Sequence, residues 1–127
     1  MIVLDASVVI ALFNTSDDHH DAALAVLNDN ARLGFGMHPL TLAEVLVGGV
    51  RVGRANQMLS DLRAMGVESV QPAPDEPLIL AELRAATGLK MPDCCVLAVA
   101  LRKSAPLATF DDQLARGAES LGLTQIV

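Results

Sequence analysis

The chain opens on Ile2-Val3-Leu4, an apolar run with no polar residue inside it, which stops at Asp5. A strand with one wet face alternates polar and apolar side chains, whereas a continuous run fits a strand covered on both faces, as in the middle of a parallel sheet. Parallel neighbours cannot be joined by a hairpin and need crossover connections, usually helices. Such a start therefore predicts helical segments between further short apolar strands.

The remaining sequence supplies them. Ala6–Phe13 carries Val8, Val9, Leu12 and Phe13 at helical spacing, and residues 18–33 carry Ala22, Leu24, Ala25, Leu27 and Ala31 behind an Asp-rich first turn. The glycine-bracketed segment 34–38 reads as a second strand, followed by a helix over 39–46 and another over 56–65 that Gly66 stops. Val67-Glu68-Ser69-Val70 alternates as a strand does; Pro72, Pro74 and Pro77 then delay the next helix to about 78–87. Helices over 92–103 and 113–121, a brief strand at 107–109 and a closing strand at 125–127 complete the pattern. The fold class expected is α/β, one domain over residues 1–127 with helices on both faces of a parallel sheet.

With 127 residues and 52% hydrophobic content, a full core can form and disorder is excluded. The longest apolar stretch, 94–101, falls far short of the roughly 20 residues that span a bilayer. No basic segment precedes the first apolar residues, so no secretory signal is read and the expected location is the cytosol. The two cysteines, Cys94 and Cys95, are adjacent, too close to cross-link the fold and without the spacing of a zinc or redox site; they read as small buried hydrophobes.

Ligands of open α/β sheets bind beyond the carboxyl ends of the strands, where strand order reverses. Asp5 ends the first strand, Asp111 follows the strand at 107–109, Asp93 opens the helix after Pro92, and Glu44 is expected in the first turn of the helix after the second strand. Taken singly, each is equally explained as a helix cap or dipole partner, and Thr41-Leu42-Ala43-Glu44 matches a capping box. Taken together, they are carboxylates with apolar neighbours at one edge, and no Lys or Arg lies within three residues of Asp5 or Glu44. A divalent ion is the counter-charge that this arrangement invites, and oxygen-only donors select Mg²⁺ or Mn²⁺. Such an ion pairs with phosphate esters, so phosphodiester hydrolysis by metal-activated water is the expected chemistry, with Ser7 and Thr109 as hydroxyls that orient the ligands.

The segments M-I-V-L-D-A-S-V-V-I-A-L, P-L-T-L-A-E-V-L-V-G, K-M-P-D-C-C-V-L-A-V-A and L-A-T-F-D-D, in this order, resemble the PIN-domain family and in particular its VapC toxins, over essentially the whole chain. The resemblance implies a three-layer α/β/α sandwich with a five-stranded parallel sheet. It also implies an Mg²⁺-dependent endoribonuclease silenced by a cognate antitoxin protein. Carried over residue by residue, it makes Asp5, Glu44, Asp93 and Asp111 the acids of the site and Ser7 and Thr109 its supporting hydroxyls. Phe110, where many relatives carry a polar or basic residue, and the Cys94-Cys95 pair depart from the family pattern. Asp112 adds an acid, read as a solvated charge at a helix start.

The formal charge of −6 argues against broad nucleic-acid affinity, so any RNA contact must be local, with Arg51, Arg54, Lys90 and Arg116 as weak candidates, since isolated basic residues are more often solvated surface. No Trp or Tyr and only three Phe leave no obvious base-stacking platform. His19-His20 reads as a surface helix start, and His38 as structural. The apolar faces of 8–13, 43–50 and 58–65 exceed what one small sheet needs; a homodimer interface and an antitoxin groove are the expected uses. Two other readings of the same residues are a phosphomonoesterase or phospho-acceptor, which would need an acid where Ser7 stands, and a non-catalytic binding module.

Overall fold

The computed structural model describes all of residues 1–127. Four short strands, β1 (Ile2–Leu4), β2 (Phe35–Met37), β3 (Val67–Ser69) and β4 (Leu107–Ala108), form a parallel sheet in the order β3-β2-β1-β4. Seven helices surround it: α1 (Ala6–Phe13), α2 (His20–Asp29), α3 (Pro39–Arg51), α4 (Ala55–Ala64), α5 (Glu76–Thr87), α6 (Met91–Lys103) and α7 (Asp112–Ser120).

The strands are buried on both sides, as the continuous apolar run at the N-terminus requires. Ile2 and Leu4 face one core with residues of α1, α2, α3 and α4, while Val3 between them faces a second core with α5, α6 and α7. This alternation is the two-residue period of a strand, and it makes the molecule a helix–sheet–helix sandwich. Residues 94–101 are apolar nearly all round because α6 packs deeply into the second core, with Cys94 and Leu97 fully buried.

The five-stranded sheet expected from the resemblance is one strand too many. Residues 124–126 approach β4 in parallel, but both hydrogen bonds fall on one residue: Leu107 N–H donates to Thr124 O at 2.9 Å and Leu107 O accepts from Ile126 N–H at 2.9 Å. With β4 only two residues long, the chain end makes a single bridge rather than a strand.

Two helix boundaries also differ. The helix expected over 18–33 ends at Asp29, where the Asn30 side chain donates to Val26 O, and a 3-10 turn (Ala31–Leu33) leads to Gly34 at φ +69°. The helix expected over 39–46 continues to Arg51 through Gly48 and Gly49. Gly49 is retained because α4 crosses it: a Cβ there would lie 2.5 Å from Met58 Sδ and 3.0 Å from Ala55 Cα.

Strands β1, β2 and β3 succeed one another in one direction, then β4 takes its place on the other side of β1. Strand order therefore reverses between β1 and β4, and the crevice beyond their carboxyl ends is where a ligand belongs. No helix is long and apolar enough to cross a membrane.

Candidate active site

Asp5 leaves the end of β1 and is buried at 8% exposure, although it makes no capping bond to α1. One of its oxygens, Oδ2, accepts from Ser7 Oγ at 2.8 Å and from Thr109 Oγ1 at 2.8 Å. Each hydroxyl also accepts a backbone N–H, Ser7 Oγ from Phe110 and Thr109 Oγ1 from Asp111, both at 3.0 Å. A hydroxyl has one proton to give. Both protons point at Asp5, so the 3.4 Å approach of Ser7 Oγ to Thr109 Oγ1 is a contact enforced by the shared acceptor. The network stitches the end of β1 to the end of β4 and leaves Asp5 Oδ1 with no protein donor.

Asp111 is divided in the same way. Its Oδ1 caps α7, accepting from Gln113 N–H at 2.8 Å and Leu114 N–H at 3.1 Å, and its second oxygen makes no hydrogen bond. The capping reading of Asp111 is thus correct for half of the carboxylate, and it anchors the half that remains free.

Asp93 lies in the first turn of α6, whose cap residue Lys90 makes no side-chain capping bond. Partial burial, then the negative charges of Asp111, Asp5 and Glu44, hold its carboxyl above the usual aspartate range, and Lys90 opposes them. Asp111, Asp5 and Glu44 are therefore all close enough to act on Asp93. Glu44 completes them from α3, but not as expected: the helix begins at Pro39, so Glu44 lies in the second turn and Thr41 is an interior position rather than a cap. The capping box does not form, and no helix terminus accounts for Glu44. Asp112 is exposed in the first turn of α7 and is not among the charges that act on Asp93.

The donor set suits a hard divalent cation. Four carboxylates converge with one ammonium among them, and burial first, then the excess of negative charge, raises the proton affinity of Asp93. No three of them bring oxygens within 4.8 Å of one another. An ion that takes one or two carboxylates directly and reaches the rest through its own waters fits this spread, which is the habit of Mg²⁺.

The basic residues fall in different places. Lys90 stands beside Asp93. Arg51 is exposed at the end of α3, two turns and about 10 Å along the helix from Glu44. Arg54 lines a groove between α1, α3 and α4, and Arg116 lines a shallow pocket between α7 and the end of α5.

A second cluster was not legible as such in the sequence. His38 ends the β2 crossover, caps α3 by accepting Leu40 N–H on Nδ1 at 3.0 Å, and places Nε2 2.5 Å from Oε1 of the buried Glu76. Cys95 Sγ lies within 4.8 Å of both ligand atoms. Because Nδ1 accepts, the ring proton sits on Nε2 and donates to Glu76. A cation at Nε2 would have to strip that ring of its only proton, so the pair is a helix cap locked by a buried charged hydrogen bond.

A parallel α/β sandwich with an acidic crevice at its topological switch defines the class. The PIN domain family model matches residues 2–120, and the chain belongs to that family. Solved structures share the fold. The VapBC2 complex from Rickettsia felis bound to a DNA fragment from its promoter matches with a TM-score of 0.74 at 19% identity, over 98% of this chain and 97% of that one. FitAcB from Neisseria gonorrhoeae matches at 0.73 and 19% identity over 100% and 97%. A toxin–antitoxin complex from Klebsiella pneumoniae matches at 0.71 and 21% identity over 87% of each chain. No curated protein matches the sequence.

Proposed function

We propose that this protein is a metal-dependent endoribonuclease and the toxin of a toxin–antitoxin pair. The observation that carries the reading is the divided carboxylate of Asp5: two hydroxyls hold one oxygen and leave the other bare in a crevice where Glu44, Asp93 and Asp111 add their charge. Capping does not require this arrangement, and a structural role would not leave four acids facing one another.

Asp5, Glu44, Asp93 and Asp111 would hold Mg²⁺ or Mn²⁺, which when bound supplies Lewis-acid polarisation of a phosphodiester and a water acidic enough to attack it. The chain's own residues do the positioning. Ser7 and Thr109 fix the rotamer of Asp5, the α7 cap fixes Asp111, and Lys90 offers its ammonium to a phosphate oxygen beside Asp93. Arg51, Arg54 and Arg116 are further candidates for the RNA backbone, of which Arg51 shares a helix with Glu44.

An antitoxin fits the groove between α1, α3 and α4. The cavity of about 310 Å³ is lined by Ile10, Phe13, Val45, Val52 and Met58, and Ile10 and Val52 are 49% and 69% exposed. An amphipathic segment of a partner would cover them. Leu78, Met91 and Leu101, exposed on α5 and α6, are the surface we assign to a second copy in a homodimer.

The test is cleavage of total cellular RNA by purified, antitoxin-free protein, with Mg²⁺, with chelator, and with Asp93→Asn. Discrete fragments that require both the metal and Asp93 are expected. Full activity in Asp93→Asn or in chelator would refute the reading, as would no cleavage by a folded, metal-loaded protein.

A further inference from the structure

Phe110 sits between Thr109 and Asp111, and its backbone N–H donates to Ser7 Oγ at 3.0 Å, the hydroxyl that also holds Asp5. Its ring, half-buried against the core beneath the sheet edge, is thereby fixed next to the acids. On that ring lies the imidazole of His19, with centroids 4.4 Å apart and planes 12° from parallel. His19 is exposed and held from behind: its backbone N–H donates to Asp17 Oδ1 at 2.8 Å, and its Nδ1 is 3.7 Å from the same oxygen.

We propose that the His19–Phe110 stack is the base-binding platform of this site, receiving a nucleobase of the RNA chain on the imidazole. The proposal rests on the ribonuclease reading above and names the part of the substrate that this rim recognises.

The stack is the only pair of stacked rings in a chain with no Trp or Tyr. Phe35 is buried in the core and Phe13 lines the groove between α1, α3 and α4, so no other aromatic ring stands at the acidic crevice. With a net charge of −6, this surface has few cations to spend on phosphates. Binding a single strand must then lean on the bases, and every base has a π-face that stacks on a planar ring whatever its sequence. A ring that only shielded Phe110 from water would serve equally as a leucine or methionine, and it would be indifferent to whether the RNA carried bases.

That indifference is what the experiment measures. In the full-length Asp93→Asn protein, expected to bind without cutting, fluorescence anisotropy compares a short labelled oligoriboadenylate with an abasic ribose-phosphate chain of equal length. Adding His19→Ala should weaken the base-bearing probe about fivefold or more, the loss of one stacked base, and leave the abasic probe unchanged. His19→Trp should restore the preference and His19→Leu should not. Equal losses on both probes, no loss on either, binding of neither probe, or full rescue by leucine would each overturn the proposal. Wild-type protein that cleaves RNA with a KM unmoved by His19→Ala would also refute the platform while leaving the nuclease standing. A base-dependent loss without any cleavage would refute the nuclease alone.

Discussion

Thr109 Oγ1 donates to Asp5 Oδ2 at 2.8 Å although 104 residues separate the two in the chain. The bond spans the two strands at which sheet order reverses, so the carboxylate at the heart of the crevice is oriented by a side chain from the other half of the fold. Thr109→Val keeps the shape, removes the donor and leaves Asp111 N–H without its acceptor. Divalent-metal affinity and cleavage should both fall about 10–100-fold, the usual cost of losing a group that orients a metal ligand. Isothermal titration with Mn²⁺ and an RNA cleavage assay check it, and a variant with unchanged affinity would show that Ser7 suffices.

Asp93 should make the metal-free protein less stable as pH rises. Its folded pKa stands above the ordinary 3.8, because of burial first and then Asp111, Asp5 and Glu44. The native state thus holds the proton more tightly than the unfolded chain does, and ionising Asp93 costs stability progressively from about pH 3.8 up through the raised value, then levels off. Asp93→Asn removes that cost. In chelator near neutral pH its Tm should exceed the wild type's by about 1–3 °C, the gain disappearing in acid, while Mg²⁺ should stabilise the wild type more than the variant. Differential scanning fluorimetry across pH gives the answer; a lower Tm for Asp93→Asn in chelator would contradict it.

His38→Ala should be among the most damaging substitutions outside the core. It leaves Glu76 buried without its partner and Leu40 N–H without its cap, a loss of about 3–5 kcal/mol. Glu76→Gln, which still accepts from Nε2–H, should cost less than half as much. Urea denaturation of both variants tests the order.

Cys95 should be inert in the native protein. Burial, then Glu76, Cys94 and Glu44, push its thiol up to about 11, so at a pH of about 8 only about one molecule in a thousand carries the thiolate. Iodoacetamide should therefore label it only once denaturant parts α6 from its neighbours. Rapid native labelling at that pH would show that α6 is not packed as described.

Much of the fold was open to sequence reasoning because the signals are local. Ile2-Val3-Leu4 announces a doubly covered strand, Pro39, Pro77 and Pro92 stand in the first turns of α3, α5 and α6, and Gly88 ends α5 in the left-handed region. Element lengths are less legible where tertiary contacts decide: Gly48 and Gly49 look like a stop until α4 is seen to cross at Gly49, and 125–127 looks like a strand until β4 proves long enough for only a single bridge to it. Glu44 reads from the sequence as a first-turn residue and lies in the second turn of α3, since a histidine cap at His38 is a weaker sequence signal than Thr41.

What the sequence by itself determined is the chemistry available: Asp5, Asp93 and Asp111 at element ends, Glu44 within a helix, hydroxyls two residues from two of those acids, and too few cations to neutralise them. What only the tertiary structure decided is which atom of each is free. Ser7 stands two residues from Asp5 in the chain, but the choice of Oδ2 for both hydroxyls, the N–H bonds that turn those hydroxyls toward it, and the meeting of His19 with Phe110 depend on α2 and β4 being folded against the same edge. Side-chain type is a property of the chain, whereas the direction of a hydrogen bond or the stacking of two rings is a property of distances, and those exist only once the sheet has closed on its helices.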